Sequence, residues 1–377
     1  MLGVHPFILL FIAAGFIYPA IANDYWVFNL TVGLVLAIAC LGLLVVIGWG
    51  REISLAQAGL TGASLYLTGF FARGGKPGEP GADLPFPIAA LFGTALVVLI
   101  SCVVALVSMR LSGVYVIVLT LALQFLLENS LFTSEKLTGG LSAPSTPRPK
   151  LFGWSLESDK RMYLYILSTL LLAMFFLHRF RNSRFGRSLI MVGVDKSAAA
   201  AVGVSPWMYK VVAFGVAGVF AGVSGALSAP LYRNPPGILQ YLSFKSLFYL
   251  SVPIFAGFES IVAVVAVACL FQMLPQILLS WKIPPELIGG VGLLLGVLAG
   301  PRGMGGAILD VFDPRARAKR KAVKGSAGAS SRPRPPARPS GGSSAGGGGA
   351  RPASARPRVS AGAGAKARPV SAGLGKK

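Results

Sequence analysis

Residues 26–48 read Trp26-Val-Phe-Asn-Leu-Thr-Val-Gly-Leu-Val-Leu-Ala-Ile-Ala-Cys-Leu-Gly-Leu-Leu-Val-Val-Ile-Gly48, an unbroken run without a charged side chain. The hydrocarbon core of a bilayer, about 30 Å thick, is crossed by roughly 20 apolar residues in a helix. The run is continuously apolar rather than alternating, which favours a helix over a barrel strand. Working outward with the same measure finds about ten candidate spans, near residues 4–22, 26–48, 53–72, 86–108, 112–133, 162–178, 211–232, 244–258, 260–281 and 286–300. The eighth and tenth are short for a straight crossing and suit re-entrant or tightly packed segments. The sequence therefore predicts an all-α polytopic membrane protein.

Composition agrees. The 377 residues are 54% hydrophobic and only 13% charged, with a mean hydropathy of +0.68, whereas about a quarter of an ordinary soluble domain is charged. The net charge of +22 is unevenly placed. Sixteen of the 35 Lys and Arg lie between Arg315 and Lys377, where there is no Asp or Glu, which leaves the rest of the chain at only +6. The chain thus divides into a transmembrane body, 1–313, and a basic tail, 314–377. The tail's Gly, Pro, Ser, Ala and Arg composition cannot bury a core, so disorder is expected. It has no aromatic residue, which argues against a stacking platform for nucleic acid. Beside anionic headgroups each Lys or Arg gains about 1 kcal/mol, so membrane lipid is its expected partner and no specific nucleic acid is. A soluble enzyme, a secreted disulfide scaffold and a global nucleic-acid binder do not fit this division.

Cys40, Cys102 and Cys269 sit in apolar runs without paired spacing and read as packing residues. His5 and His178 are far apart and outside any metal-binding spacing, so no metal or cofactor is expected. Residues 1–22 carry no Lys or Arg ahead of their apolar run and read as a retained first span rather than a signal peptide. Arg179, Arg181, Arg184 and Arg187, followed by Lys196 and Lys210, form the densest basic cluster of the body. The positive-inside rule places it in the cytoplasm. Four spans follow it, so the tail falls on the same side, and counting backwards puts the N-terminus inside as well.

Three internal patterns stand out. In the third run, Ser54, Gln57, Thr61, Ser64 and Thr68 recur at steps of three and four, one polar stripe on a helix. In lipid such a stripe faces other helices or a wet path. Thr120, Gln124 and Glu128 repeat every fourth position in the fifth run, and Glu128 falls near its outer end as a solvated helix-end carboxylate. Gly215, Gly218, Gly222 and Gly225 give the seventh run a face along which another helix backbone can approach closely. Between the sixth and seventh runs, Asp195, an Ala-rich stretch and Gly203 predict a short helix with an acidic start and a glycine stop. That element would serve as a loop ornament or as a docking peg for a cytoplasmic partner.

These residues resemble the permease subunits of ABC importers for branched-chain amino acids, the LivM-like half of the pair. The likeness is carried by Arg51-Glu-Ile-Ser-Leu-Ala-Gln-Ala-Gly-Leu-Thr-Gly-Ala-Ser-Leu-Tyr66, by Leu137-Thr-Gly-Gly-Leu141 with Pro147-Arg-Pro-Lys-Leu-Phe-Gly153, by Phe185-Gly-Arg187 through Tyr209-Lys210 and on to Leu227, and by Pro301-Arg-Gly-Met304. It covers about residues 30–305. The resemblance implies a bacterial inner-membrane permease with no catalytic residues. It also implies that Gly186, Arg187, Asp195, Ala198, Ala199 and Gly203 form the loop that docks a cytoplasmic ATP-binding subunit. A LivH-like second permease subunit and an extracytoplasmic solute-binding protein would complete the importer. The chain has no G-x-x-x-x-G-K-[ST] phosphate loop, so hydrolysis would belong to a partner. Gln57, Thr61, Ser64 and Gln124 are the candidate lining of the solute path. The sequence departs from the family in two places: most acidic positions of the docking loop are lost, leaving Asp195, and Gln57 and Leu60 stand where many relatives have His and Phe. The solute thus stays open between branched-chain amino acids and urea or a small amide, and a secondary transporter or channel not coupled to ATP remains the reading from another class.

Overall fold

The computed structural model describes residues 15–73, 81–111, 113–134, 146, 148–151, 154–232, 241–258, 260–277 and 285–299. The basic tail, 314–377, and the expected boundary at 313 lie outside the described residues.

The regular structure of the described residues is helical apart from one pair of two-residue strands. Following a helical stretch at 15–21, α1 runs Asp24–Leu43 and continues through a π turn, Leu44–Trp49. Then come α2 (Gln57–Ala72), α3 (Phe86–Val107, ending in a 3-10 turn Ser108–Arg110), and α4 (Val114–Leu126 with a π turn Leu127–Leu131). Strands β1 (Lys150–Leu151) and β2 (Trp154–Ser155) pair antiparallel. They precede α5 (Asp159–Asn182), α6 (Arg184–Val194), α7 (Lys196–Ala201) and α8 (Pro206–Tyr232). The last three are α9 (Ser243–Ala256), α10 (Ile261–Ile277) and α11 (Pro285–Ala299).

Among the described residues, five helical segments are long and apolar enough to cross a membrane: Asp24–Trp49, Phe86–Arg110, Val114–Leu131, Asp159–Asn182 and Pro206–Tyr232. Three shorter apolar helices, Ser243–Ala256, Ile261–Ile277 and Leu287–Leu298, accompany them. The most apolar stretch of α1 is 89% buried, that of α8 67%, and those of α3, α4 and α5 only 28%. Thus α1 and α8 form the centre, and α2 and α3 pack on α8 and on each other. Leu91, Val118, Leu126, Leu172 and Phe175 are each more than half exposed on the outer helices. In water a surface so continuously apolar would drive association; against acyl chains it is the expected finish.

The glycine face of α8 explains the central packing. A methyl group on Gly222 would lie 2.7 Å from Thr94 in α3, and one on Gly225 would lie 2.1 Å from the Thr61 carbonyl in α2. The close helix crossing read from the spacing is therefore present.

The third run departs from expectation. Its helix begins only at Gln57, because Arg51 adopts the left-handed region (φ 53°) and residues 51–56 are not helical. Ser54 consequently lies off the helix and off the stripe, although it is buried. The sixth and seventh runs extend beyond their apolar cores, starting at Asp159 and Pro206. An acidic first turn and a proline at the first helical position both favour a helix start.

Candidate functional site

Two groups of candidate residues are set by this packing. The first is a polar seam on α2, where Gln57, Thr61, Ser64 and Thr68 are all buried. Gln57 Nε2 donates to the Ala39 carbonyl of α1 at 2.9 Å and to the Ala217 carbonyl of α8 at 3.4 Å. Ser64 Oγ donates to the Gly222 carbonyl at 2.6 Å, and Thr61 Oγ1 donates back to Gln57 O at 2.8 Å. From α8, Ser224 Oγ reaches the Val35 carbonyl of α1 at 2.8 Å. Gln57 and Ser64 thus tie the stripe to α1 and α8, while Thr61 bonds back within α2.

Gln124 meets α2 from a different side. Its Oε1 accepts from the Gly59 N–H (2.7 Å) and from Ser246 Oγ of α9 (3.0 Å). Its Nε2 donates to the Tyr241 carbonyl (2.7 Å) and to Glu128 Oε1 (2.9 Å). A Cβ at position 59 would lie 2.5 Å from Gln124 Oε1 and would push the Gln124 amide from this place. Glu128 is partly buried and accepts from Ser243 Oγ at 2.7 Å as well, so it is more engaged than a solvated helix end. Next to this network, a cavity of about 150 Å³ lies among α1, α8, α9 and α10, lined in part by Ser228, Tyr241, Lys245 and Gln272.

The second group is the helical elbow α6–α7. Ser183 caps α6 by accepting the Gly186 N–H at 3.2 Å. A side chain on Gly186 would strike the Phe180 carbonyl at 2.2 Å, so glycine permits the sharp exit from α5. Arg187 Nη1 donates to the Asn182 carbonyl at 2.9 Å across the same turn. Leu189 and Val192 bury the inner side of α6. Asp195 caps α7, accepting from the Ser197 N–H (2.8 Å), the Ser197 hydroxyl (2.6 Å) and the Ala198 N–H (3.1 Å). The Ser197 hydroxyl, and then the two backbone N–H groups, hold its carboxyl below the usual carboxylate range. The helix stops in a Schellman arrangement: Gly203 N–H bonds Ala200 O and Val204 N–H bonds Ala199 O, both at 3.0 Å, with Gly203 at φ 80°. The acidic start and glycine stop thus lie where the sequence places them. Ala199 is buried beneath the helix, while Ala198 and Gly203 are exposed.

Sequence reasoning missed what anchors this elbow. Glu52, in the 50–56 linker, is 6% exposed. Its Oε1 lies 2.9 Å from Lys196 Nζ and 3.5 Å from Lys210 Nζ. Lys210 also donates to the carbonyls of Ser108 and Leu111, at 2.9 and 3.0 Å. The available signal was that Glu52 is the one acidic residue between Asp24 and Glu79. Three loops that the charge rule assigns to one side therefore meet at one end of the bundle.

Residues 25–299 match a family model described as the branched-chain amino acid transport system / permease component. The chain is 26% identical over 322 residues to the high-affinity branched-chain amino acid transport system permease protein LivM of Escherichia coli K12, covering 78% of this chain and 72% of that protein. It matches the LivM protein of Salmonella typhimurium LT2 with the same identity and coverage. No solved structure matches the chain.

Proposed function

The chain belongs to the branched-chain amino acid transport permease family, and from that premise we propose that it is the LivM-like permease subunit of an importer for branched-chain amino acids or a similar small polar solute. As a family member it is a multi-pass membrane permease of the bacterial ABC transporter type and not an enzyme. In this reading the bundle crosses the inner membrane about ten times with both termini cytoplasmic. The α6–α7 elbow docks a cytoplasmic ATP-binding subunit through Gly186, Arg187, Asp195, Ala198, Ala199 and Gly203. A LivH-like subunit completes the membrane domain, a solute-binding protein delivers cargo from outside, and the basic tail lies along anionic lipid.

The observation that supports this reading best is the elbow itself: a capped, glycine-terminated helix whose exposed side carries small residues and whose base is bolted to the bundle by Glu52. A loop ornament needs no such base. The solute path follows Gln57, Thr61 and Ser64, with Gln124 holding α4 and α9 to the same helix; loss and recovery of their interhelical bonds would open and close it. Tagged protein extracted in mild detergent should carry an ATP-binding subunit with it, and Asp195→Arg should lower that recovery while membrane insertion is unchanged. Recovery of the chain without any nucleotide-binding partner would refute the reading.

A further inference from the structure

We propose that Glu52 is the positioning residue that links the docking elbow to the polar seam, so that movement of the elbow is delivered to α2 through the 50–56 linker. The inference rests on the proposed importer function.

Glu52 has two unlike partners. Lys210 is largely buried, and its ammonium is satisfied by Glu52 and the two carbonyls at the end of α3; a cation is favoured there by the partial negative charge of a helix C-terminus. The Lys196 side chain is 55% exposed against 8% for Glu52, and an ion pair open to solvent on one side is weakly held. Glu52 can therefore release Lys196 to water while Lys210 keeps its charge compensated. A second contact holds the same joint, since a side chain on Gly193 would meet the Trp49 carbonyl at 2.1 Å. The elbow thus presses on the linker from both sides of Arg51, whose left-handed backbone marks the bend. Further along, the Leu55 N–H bonds Thr120 Oγ1 at 3.1 Å, and Gln57 opens both α2 and the seam. Beside the ion pairs lies a cavity of about 260 Å³, lined by Glu52, Lys196, Trp207, Lys210 and others. It gives the elbow room to shift where a close-packed interior would resist.

The test uses the complete importer in proteoliposomes and reads solute moved per ATP hydrolysed, together with the mobility of a nitroxide on residue 200. Lys196→Met removes the releasable partner and leaves the Glu52–Lys210 pair. It should lower the transport ratio about tenfold, within the usual range of coupling between sites, and loosen the label at normal levels of assembled complex. Glu52→Gln should be at least as severe, Glu52→Asp should recover part of the loss, and the Glu52→Gln, Lys196→Met double variant should be no worse than Glu52→Gln alone. A wild-type ratio and an immobile label in Lys196→Met would overturn the proposal, as would losses that multiply in the double variant. If Glu52→Gln fails to assemble, Lys196→Met decides alone. If wild-type vesicles show no ATP-dependent uptake, the importer reading falls, and the label in Lys196→Met still decides whether Glu52 fixes the elbow.

Discussion

Replacing Gly225 by Ala tests the central crossing, because a single methyl group there meets backbone rather than a movable side chain. Its Cβ would stand 2.1 Å from Thr61 O, 2.6 Å from Ser64 Cβ and 2.9 Å from Leu65 N. Restoring ordinary contact requires α2 and α8 to part by roughly 1 Å, an overpacking change that costs about 1–3 kcal/mol. Parting also weakens the Ser64–Gly222 hydrogen bond, about 0.6 kcal/mol for an interhelical bond in a membrane. Against this stands about 1 kcal/mol gained by removing a helix-interior glycine. The net loss is about 0.6–2.6 kcal/mol. Gly290 in α11 supplies the control, since nothing lies within 4 Å of its would-be Cβ, and Gly290→Ala should be neutral or stabilising. Thermal unfolding of the two purified variants in the same detergent measures the difference. A Gly225→Ala protein as stable as Gly290→Ala would refute the close crossing on which the seam depends.

Three further outcomes are expected. Gln57→Leu removes donors to Ala39 and Ala217, costing about 0.6–2 kcal/mol of stability, and should lower uptake more than it lowers the amount of folded protein; equal losses would reduce Gln57 to packing. Gly203→Val forces a β-branched residue into the left-handed region at φ 80°, where an ordinary residue pays about 1–2 kcal/mol, and should reduce recovery of the ATP-binding subunit on co-purification; undiminished recovery would show that the helix stop does not shape the docking surface. Because the Asp195 carboxyl is held below its ordinary value of 3.8, its cap is fully present above that value and fades only as the pH falls through the lowered pKa. Hydrogen exchange at the Ser197 and Ala198 amides should stay slow as the pH drops to 3.8, and loss of protection above it would contradict the cap geometry.

What could be read from the chain follows from how local each signal is. The apolar runs were legible because bilayer thickness imposes their length, and Asp195 and Gly203 were legible because caps and stops act within a few residues. The starts at Asp159 and Pro206 were missed because a ruler for apolar residues does not register polar first turns. Ser54 kept the right spacing for the stripe but lost the helix to the bend at Arg51, which no periodicity reports. The Glu52 ion pairs reach across the chain to Lys196 and Lys210, the first of them 144 positions away, and side chains that distant are brought together only by the packing of α1, α3, α6 and α8. For the same reason the sequence left the stripe open between interhelical bonding and a solute path. The structure supplies the bonds, and transport is measured in function.

The most direct measurement is uptake of radiolabelled leucine into proteoliposomes that contain this chain with its permease partner, ATP-binding subunits and solute-binding protein, with ATP inside or omitted. The proposed function predicts accumulation with ATP and none without it. Accumulation at the same rate in the absence of ATP would contradict it.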